Sequence, residues 1–304
     1  MALLRYGAIA ASLAAVVFVG IALSEEDRTE SNVAVHNMNP HDGSVTVGST
    51  GQQTPPNTFH TGPVMSTPNV YLIWYGNWNQ TNGSDTAAGQ SLVSTFLSGL
   101  SGSSYMKINT TYNNVPSGSL IVAGATTDNY SQTARLSDSK VRTVVSSAIS
   151  SGRLPSDTNG IYFVLTSTDV SESSGFCSRY CGWHTYGTIS GANIKYAFIG
   201  NANRCLSGCA AQTTSPNGNP GVDGMISVIA HELEETVTDP NLNAWYDSKG
   251  AENGDKCAWT FGGGQKTAPN GSFYNLTLGG LNFLVQRNLS AADSKCYVAL
   301  NGQQ

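Results

Sequence analysis

Residues 230–247 carry the side chains with the clearest capacity for chemistry, in the sequence AHELEETVTDPNLNAWYD. His231 and Glu235 are four residues apart, so on a helix they would lie on one face, one turn apart. Glu232 follows the histidine directly, at the position of the general base in HExxH metalloproteases. Because a carboxylate is also a legitimate zinc ligand, this HExxE pattern predicts a zinc site at His231 and Glu235.

A catalytic zinc ion needs about three protein ligands and an open position for water. Glu252 lies 17 residues after Glu235, a spacing that lets the following segment fold back under the helix. We therefore expect Glu252 to be the third ligand, with Asp239 as the alternative, and Asp255 to hold the ring of His231. Zinc lowers the pKa of its bound water, so Glu232 would act as the general base of a hydrolase, a metallopeptidase in the first instance.

Two further residues are catalytic candidates. His184, in the segment CGWHTY, could stabilise an oxyanion or bind substrate, and Tyr246 could donate a hydrogen bond in the transition state. The alternative for both is simple packing. A calcium site is the alternative to zinc, because acidic residues cluster after the helix, but His231 argues against a cation that prefers oxygen ligands.

The elements that position these residues follow from apolar spacing. Ile226, Ile229, Leu233 and Val237 predict a helix with one buried side, and Pro240 predicts its end near Thr238. We expect further helices over 86–100 and 138–151, and strands over 70–75, 105–112, 119–125, 160–167, 194–200 and 282–285. This order predicts an α+β fold, zincin-like, with a central mixed sheet, flanking helices and an active-site-type helix.

The N-terminus is typical of a secretory signal. Arg5 precedes an apolar run over 6–23, and Ala22-Leu23-Ser24 is an acceptable cleavage site, so we expect a signal peptide over 1–24, with a signal anchor as the alternative. Residues 25–68 are polar and predict a disordered linker or pro-region, followed by a single domain over 69–304. Charged residues make up 12% of the chain and the net charge is −5, which disfavours a nucleic-acid partner.

Cysteines and sequons fit an extracellular chain. We expect disulfides within the pairs Cys177/Cys181 and Cys205/Cys209, and a third from Cys257 to Cys296. A structural zinc site made by the two CxxxC pairs is the alternative. The candidate glycosylation sites are Asn79, Asn82, Asn109, Asn129, Asn270, Asn275 and Asn288.

Three stretches of the chain resemble the EXORDIUM/phosphate-induced protein family of plant apoplastic proteins and related secreted microbial proteins. They are VYLIWYG at 70–76, the SGFCSRYCGW region within 166–183, and 228–257, which holds HELEE, Asn243-Ala244-Trp245-Tyr246 and Glu252-Asn253-Gly254-Asp255-Lys256-Cys257. The resemblance implies a secreted location, a link with cell-wall-associated growth and brassinosteroid-responsive signalling, and equivalence of the residues His231, Glu232, Glu235, Glu252 and Asp255. Because related plant sequences can have Asn at the position of Asp239, it favours Glu252 as the third ligand.

Two functional hypotheses remain open at this point. The first is a secreted zinc-dependent metallopeptidase that acts on a peptide. The alternative is a non-catalytic extracellular cell-wall or matrix protein of the EXORDIUM type. The sequence gives neither the substrate nor the oligomeric state.

Overall fold

The computed structural model describes residues 36–40 and 51–300. Within these residues the α-helices are α1 (Ala87–Leu100), α2 (Asp138–Ser150), α3 (Leu206–Cys209) and α4 (Pro220–Thr238), and the 3-10 turns are Met106–Thr111, Ala202–Arg204 and Asp255–Cys257. The strands up to α4 are β1 (His36–Met38), β2 (Thr58–Phe59), β3 (Asn69–Tyr75), β4 (Ile121–Asp128), β5 (Arg135–Leu136), β6 (Gly160–Thr166), β7 (Ser171–Glu172), β8 (Gly182–Ile189) and β9 (Ala192–Ile199). After α4 come β10 (Trp245–Tyr246), β11 (Lys266–Thr267), β12 (Phe273–Tyr274), β13 (Leu276–Leu278), β14 (Leu281–Phe283), β15 (Asn288–Ser290) and β16 (Lys295–Tyr297).

A six-stranded mixed sheet forms the centre of the domain, in the order β1-β8-β9-β6-β3-β4. Strands β4, β3, β6 and β9 run parallel, whereas β8 is antiparallel to β9 and to β1. The central strands β3 and β6 are buried along almost their whole length, as expected for parallel strands covered on both faces. The prediction of an α+β fold with a central mixed sheet is confirmed.

Three sequence-based assignments need correction. Residues 106–111 form a 3-10 turn rather than a strand, and β8 was not anticipated. Residues 36–40 and 51–68, placed in a disordered linker by their polar composition, belong to the fold. Met38 is fully buried and its carbonyl accepts from the backbone N–H of Cys181 at 2.7 Å, while the N–H of Met65 donates to the carbonyl of Val237 at 2.9 Å. Backbone pairing, which composition does not reveal, orders this segment.

The expected signal peptide over 1–24 lies outside the described residues, as do the remaining parts of the expected linker. Across 36–40 and 51–300, no helix has both the length and the apolar character needed to cross a membrane.

The disulfides join neighbouring segments instead of closing locally. Cys257 bonds to Cys296 as predicted, but the bonds Cys177–Cys205 and Cys181–Cys209 correct the expected pairing within each CxxxC and exclude zinc binding there. Cys205 and Cys209 stand one turn apart at the two ends of α3, so their side chains project from one face. Both therefore meet the facing 177–181 segment, and two parallel cross-links form.

Candidate functional site

Helix α4 carries the candidate site and is buried on every side. The side chain of Asn219 accepts from the N–H of Val222 to cap the first turn, Pro220 occupies the first turn, and the helix ends at Thr238, before Asp239-Pro240. Residues 221–238 are all buried, which corrects the prediction of a single buried side. The ionisable residues of HELEE therefore lie in the protein interior, where each charge needs a partner.

Four buried side chains from three parts of the chain form a series of close contacts through Glu235 and His184. Oε1 of Glu235 lies 3.0 Å from Nε2 of His231, one helical turn away, and Oε2 of Glu235 lies 3.5 Å from Nε2 of His184 on β8. The same His184 nitrogen lies 2.9 Å from Oε2 of Glu252. We call His184, His231, Glu235 and Glu252 the imidazole–carboxylate cluster. All four side chains are fully buried.

Two glycines allow the elements to approach closely enough to form this cluster. A Cβ at Gly182 on β8 would lie 2.5 Å from Cγ1 of Val228 on α4, so a larger residue would push the strand that carries His184 away from the helix. A Cβ at Gly254 would lie 2.8 Å from Oε1 of Glu235. Glycine at these two positions therefore permits close packing against helix α4.

Glu232 stands beside the cluster without a hydrogen bond. Its side chain is fully buried, neither carboxylate oxygen has a partner, and a carboxylate oxygen lies within 4.8 Å of donor atoms of His184 and Glu235. Burial, and next the negative charge of Glu235, raise the pKa of Glu232 to about 8. An unpartnered buried carboxyl group is costly, so its position calls for a neighbouring cation or a bound proton.

Opposite charges hold the rest of the cluster together. Burial by itself lowers the pKa of His184, but the charges of Glu252 and Glu235 outweigh it and raise the value to about 10. For His231 the same opposition between burial and the charge of Glu235 raises the pKa to about 9. Burial opposes ionisation of Glu235, yet the two histidines hold its pKa well below the usual range. The site thus favours positive charge between two carboxylates, whether carried by protons or by a metal ion.

The structure brings most of the sequence-predicted residues together, with changed roles. Glu252 contacts His184 rather than His231. Oδ1 of Asp255 lies 3.8 Å from Nε2 of His231, the same nitrogen that faces Glu235, so it does not orient the ring from its far side. Oδ1 of Asp239 accepts the backbone N–H groups of Asn243 and Ala244 and stabilises the turn after α4.

Tyr246 stacks on His60, with ring centroids 3.7 Å apart, where β10 pairs with β2. Trp245, its neighbour, packs edge-on against Tyr112. These contacts are aromatic packing, and a catalytic role for Tyr246 stays a prediction.

A second buried polar group, around Glu234, was not anticipated from the sequence. Oε2 of Glu234 accepts from Nδ2 of Asn109 and, at 2.7 Å, from Nδ2 of Asn288. Nδ2 of Asn253 donates to the carbonyl of Glu234 at 3.2 Å. Burial raises the pKa of Glu234 well above its usual range. Because Asn109 and Asn288 both lie in sequons, the sequence favoured glycosylation and hid their structural role.

The fold and the site define a disulfide-bonded α+β protein with a buried imidazole–carboxylate cluster between helix α4 and strand β8 of its central sheet. A family profile described as "Phosphate-induced protein 1 conserved region" matches residues 57–298. The chain belongs to this phosphate-induced protein 1 family, and the resemblance found in the sequence is confirmed.

Curated plant proteins show the same relationship. The chain is 34% identical over 244 residues to Protein EXORDIUM-like 5 of Arabidopsis thaliana, covering 68% of this chain and 65% of that protein. It is 30% identical over 257 residues to Protein EXORDIUM-like 3 of Arabidopsis thaliana, covering 71% of this chain and 73% of that protein. Protein PHOSPHATE-INDUCED 1 of Nicotiana tabacum is 27% identical over 227 residues, covering 63% of this chain and 67% of that protein. No solved structure matches the chain.

These comparisons correct the functional prediction. The chain matches EXORDIUM and phosphate-induced proteins rather than peptidases, so the interpretation as a secreted zinc-dependent metallopeptidase is wrong. The pattern HExxE was misleading because its three specified residues record the helical spacing of ligands and not whether a substrate can reach them. The likeness to zincins stays a prediction of the sequence.

Proposed function

We propose that this protein is a non-catalytic extracellular protein of the EXORDIUM type, which acts in the cell wall or matrix in growth or signalling. The family match across residues 57–298 carries this proposal. The chain spans 65% of the length of EXORDIUM-like 5. That it shares the role of that whole relative is therefore itself a proposal.

Burial of the cluster supports a non-catalytic role. A catalytic metal keeps a coordination position open to water and substrate. Here His184, Glu235 and Glu252 have fully buried side chains, and Glu232, in the position of a general base, is equally buried. In this structure these side chains are not accessible to a peptide.

The cysteines support an extracellular location. Over residues 36–40 and 51–300 the cysteines form three disulfides and none is free. Such bonds persist in oxidising compartments and are rare in the cytosol. Together with the apolar run over 6–23, they favour secretion through the signal peptide that the sequence predicts. The partner we propose is a component of the wall or matrix.

Expression in an Arabidopsis line that lacks EXORDIUM-like 5 tests this function. We compare the wild-type chain with Glu232→Gln, which keeps the shape of the side chain and mimics its protonated form. We expect both proteins in the wall or medium fraction and equal effects on growth. Circular dichroism and a melting curve of each purified protein confirm that both are folded.

Two results would contradict the proposal. One is retention of the wild-type chain inside the cell. The other is loss of the growth effect in a Glu232→Gln protein that is secreted and melts like wild type, since only chemistry at Glu232 would explain that loss. The control for a misfolded chain is the double variant Cys181→Ser/Cys209→Ser, which removes one cross-link of the domain.

A further inference from the structure

We propose that a cleft beside the paired strands β11 and β12 binds one uronic acid unit of an acidic wall or matrix polysaccharide. The cleft has a volume of about 250 Å³, and none of its lining residues belongs to the imidazole–carboxylate cluster. The inference deepens the proposed function, since it names the chemical class of the partner. It rests on that function only for the source of the ligand, because binding itself is a property of the cleft.

The pairing of β11 with β12 places a cation beside an aromatic ring. Lys266 and Tyr274 are directly opposite each other in this antiparallel pair, and both line the cleft. Opposed residues of an antiparallel pair project on the same face of the sheet, with Cβ atoms about 4.5–5.5 Å apart. The cleft therefore presents the ammonium group of an exposed lysine next to the partly buried ring of a tyrosine.

Three polar side-chain groups of the lining have no partner within residues 36–40 and 51–300. The ammonium of Lys266 and the hydroxyls of Tyr274 and Ser104 make no hydrogen bond or ion pair there. Tyr105 and Tyr112, in contrast, each donate from the hydroxyl to a backbone carbonyl at 2.9 Å. A ligand can therefore use the polar groups of the cleft without breaking a hydrogen bond of the fold.

Lys266 gives the cleft its preference for negative charge. It is the only charged residue in the lining, so no carboxylate of the lining competes for its ammonium group. The chain as a whole carries a net charge of −5, whereas this lining carries a single positive charge. A carboxylate on the ligand would form a charge-assisted hydrogen bond with Lys266, which is stronger than a bond between neutral groups. We therefore expect an anionic sugar rather than a neutral one.

The other lining residues suit the ring of a sugar, which has an apolar C–H face and a rim of hydroxyl groups. Leu276, Val298 and the ring of Tyr274 provide apolar surface for that face. The hydroxyls of Ser104 and Thr277 provide donors and acceptors for the rim. An apolar lining with a few polar groups is typical of ligand sites, and the volume, just below the usual range of about 300–1,000 Å³, fits one sugar unit.

Asn275 also lines the cleft and lies in a glycosylation sequon. Its Nδ2 donates to the carbonyls of Phe261 and Val285, at 3.1 and 2.7 Å. A glycan would be attached to that same nitrogen, so we expect no glycan of the chain itself to fill the cleft. The space is left for a sugar from outside.

Isothermal titration calorimetry of the purified full chain tests the cleft. The probes are a trimer of galacturonic acid and the same trimer with its carboxyl groups methyl-esterified. We expect wild type to bind the acidic trimer about tenfold more tightly than the ester, and Lys266→Gln to lose that preference, because the probes differ only in charge. Lys249→Gln is the matched control, since it removes one positive charge from an exposed site outside the cleft.

A second pair of variants tests the aromatic ring. Tyr274→Ala should weaken binding of both probes by about fivefold, because it removes the surface on which the sugar ring stacks. Tyr274→Phe, which keeps the ring and loses the hydroxyl, should retain most of the affinity. A melting curve of each variant confirms that it is folded.

Three results would overturn the proposal: folded wild-type protein that does not bind the acidic trimer, equal binding of the acidic and esterified probes, or a Lys266→Gln protein that keeps the preference. The outcome is separate from that of the proposed function. If the growth effect or secretion fails while the trimer binds, the proposed function is wrong and the cleft stands. If both hold and the trimer does not bind, only the cleft is wrong.

Discussion

Nδ2 of Asn288 donates a hydrogen bond to Oε2 of the buried Glu234 at 2.7 Å, although Asn288 lies in a glycosylation sequon. Asn109, which begins another sequon, donates to the same oxygen, and both asparagines are buried. A glycan is attached to the same amide nitrogen that donates these bonds, so modification and the native structure exclude each other here. We therefore expect the two motifs to be structural rather than glycosylated.

Glycan occupancy should differ between the exposed and the buried sequons. We expect glycans at the exposed Asn79 and Asn129, and none at Asn109 or Asn288, when the chain passes through a eukaryotic secretory pathway. Enzymatic deglycosylation in heavy-oxygen water followed by peptide mass spectrometry reads each site. Occupied Asn288 in folded, secreted protein would show that the arrangement around Glu234 is wrong.

The same arrangement predicts a large loss of stability in Asn288→Ala. The substitution removes the donor to Glu234 and leaves a buried carboxyl group with fewer partners, at a cost of about 1–3 kcal/mol. Asn129→Ala, a matched change in an exposed sequon, should alter the free energy of unfolding by less than about 0.5 kcal/mol. Urea unfolding of both variants gives the comparison, and equal effects would contradict the buried network.

Disulfide mapping tests how the two CxxxC segments are joined. Trypsin cuts after Arg179, between Cys177 and Cys181, and chymotrypsin cuts after Leu206, between Cys205 and Cys209. Under non-reducing conditions we expect the peptide of Cys177 to be linked to that of Cys205, and Cys181 to Cys209. Detection of a peptide that links Cys177 to Cys181 would show that the pairing is local and that the two segments are not cross-linked.

Elements that depend on interactions between residues close in sequence were predictable, and elements that depend on pairing between distant segments were not. The apolar runs at β3 and β6, and the end of α4 before Pro240, were predictable because local spacing and proline geometry determine them. Strand β8 was missed since Gly182-Trp183-His184-Thr185 mixes polar and apolar residues, and it is a strand because β1 and β9 pair with it.

The candidate site shows the same limit. His231 and Glu235 were identified from helical spacing, and Glu252 from its short separation along the chain from Glu235. His184 joins them only through the sheet, from a strand 47 residues before His231. The buried role of Asn109 and Asn288 was equally invisible, because a sequon reads the same in the interior as on the surface.

Strand β1 gives a prediction where composition was misleading. Met38 is fully buried, and the carbonyl of Asn39 accepts from Nε1 of Trp259 at 2.6 Å. Met38→Ala should lower the free energy of unfolding by about 2–5 kcal/mol, the usual cost of a cavity in a packed core. The control is Ile121→Ala on the edge strand β4, where the side chain is 54% exposed and the cost should be small. If urea unfolding shows that Met38→Ala has an unchanged free energy of unfolding, residues 36–40 are a linker and not part of the packed core.

Asp247 and Lys256 supply a prediction for pH dependence. Nζ of Lys256 lies 2.5 Å from Oδ2 of Asp247 and also donates to the carbonyl of Pro55, so this pair ties the 51–58 segment to the loop that carries Glu252. Burial opposes ionisation of Asp247, but the bonds from Lys256 and from the backbone N–H groups of Lys249 and Ala251 lower its pKa overall.

A lowered carboxyl pKa stabilises the fold above the ordinary value near 3.8, and this contribution is lost as pH falls through the folded value below it. Asp247→Asn should therefore cost about 1–2 kcal/mol of unfolding free energy at pH 7 and pH 5. The difference from wild type should shrink below pH 4, where the unfolded state of the wild-type chain takes up the proton. Lys249→Gln, an exposed neighbour, serves as the control. Urea unfolding of both proteins across this pH range measures the difference. If Asp247→Asn loses as much unfolding free energy at pH 3 as at pH 7, Asp247 acts through packing and not through its charge.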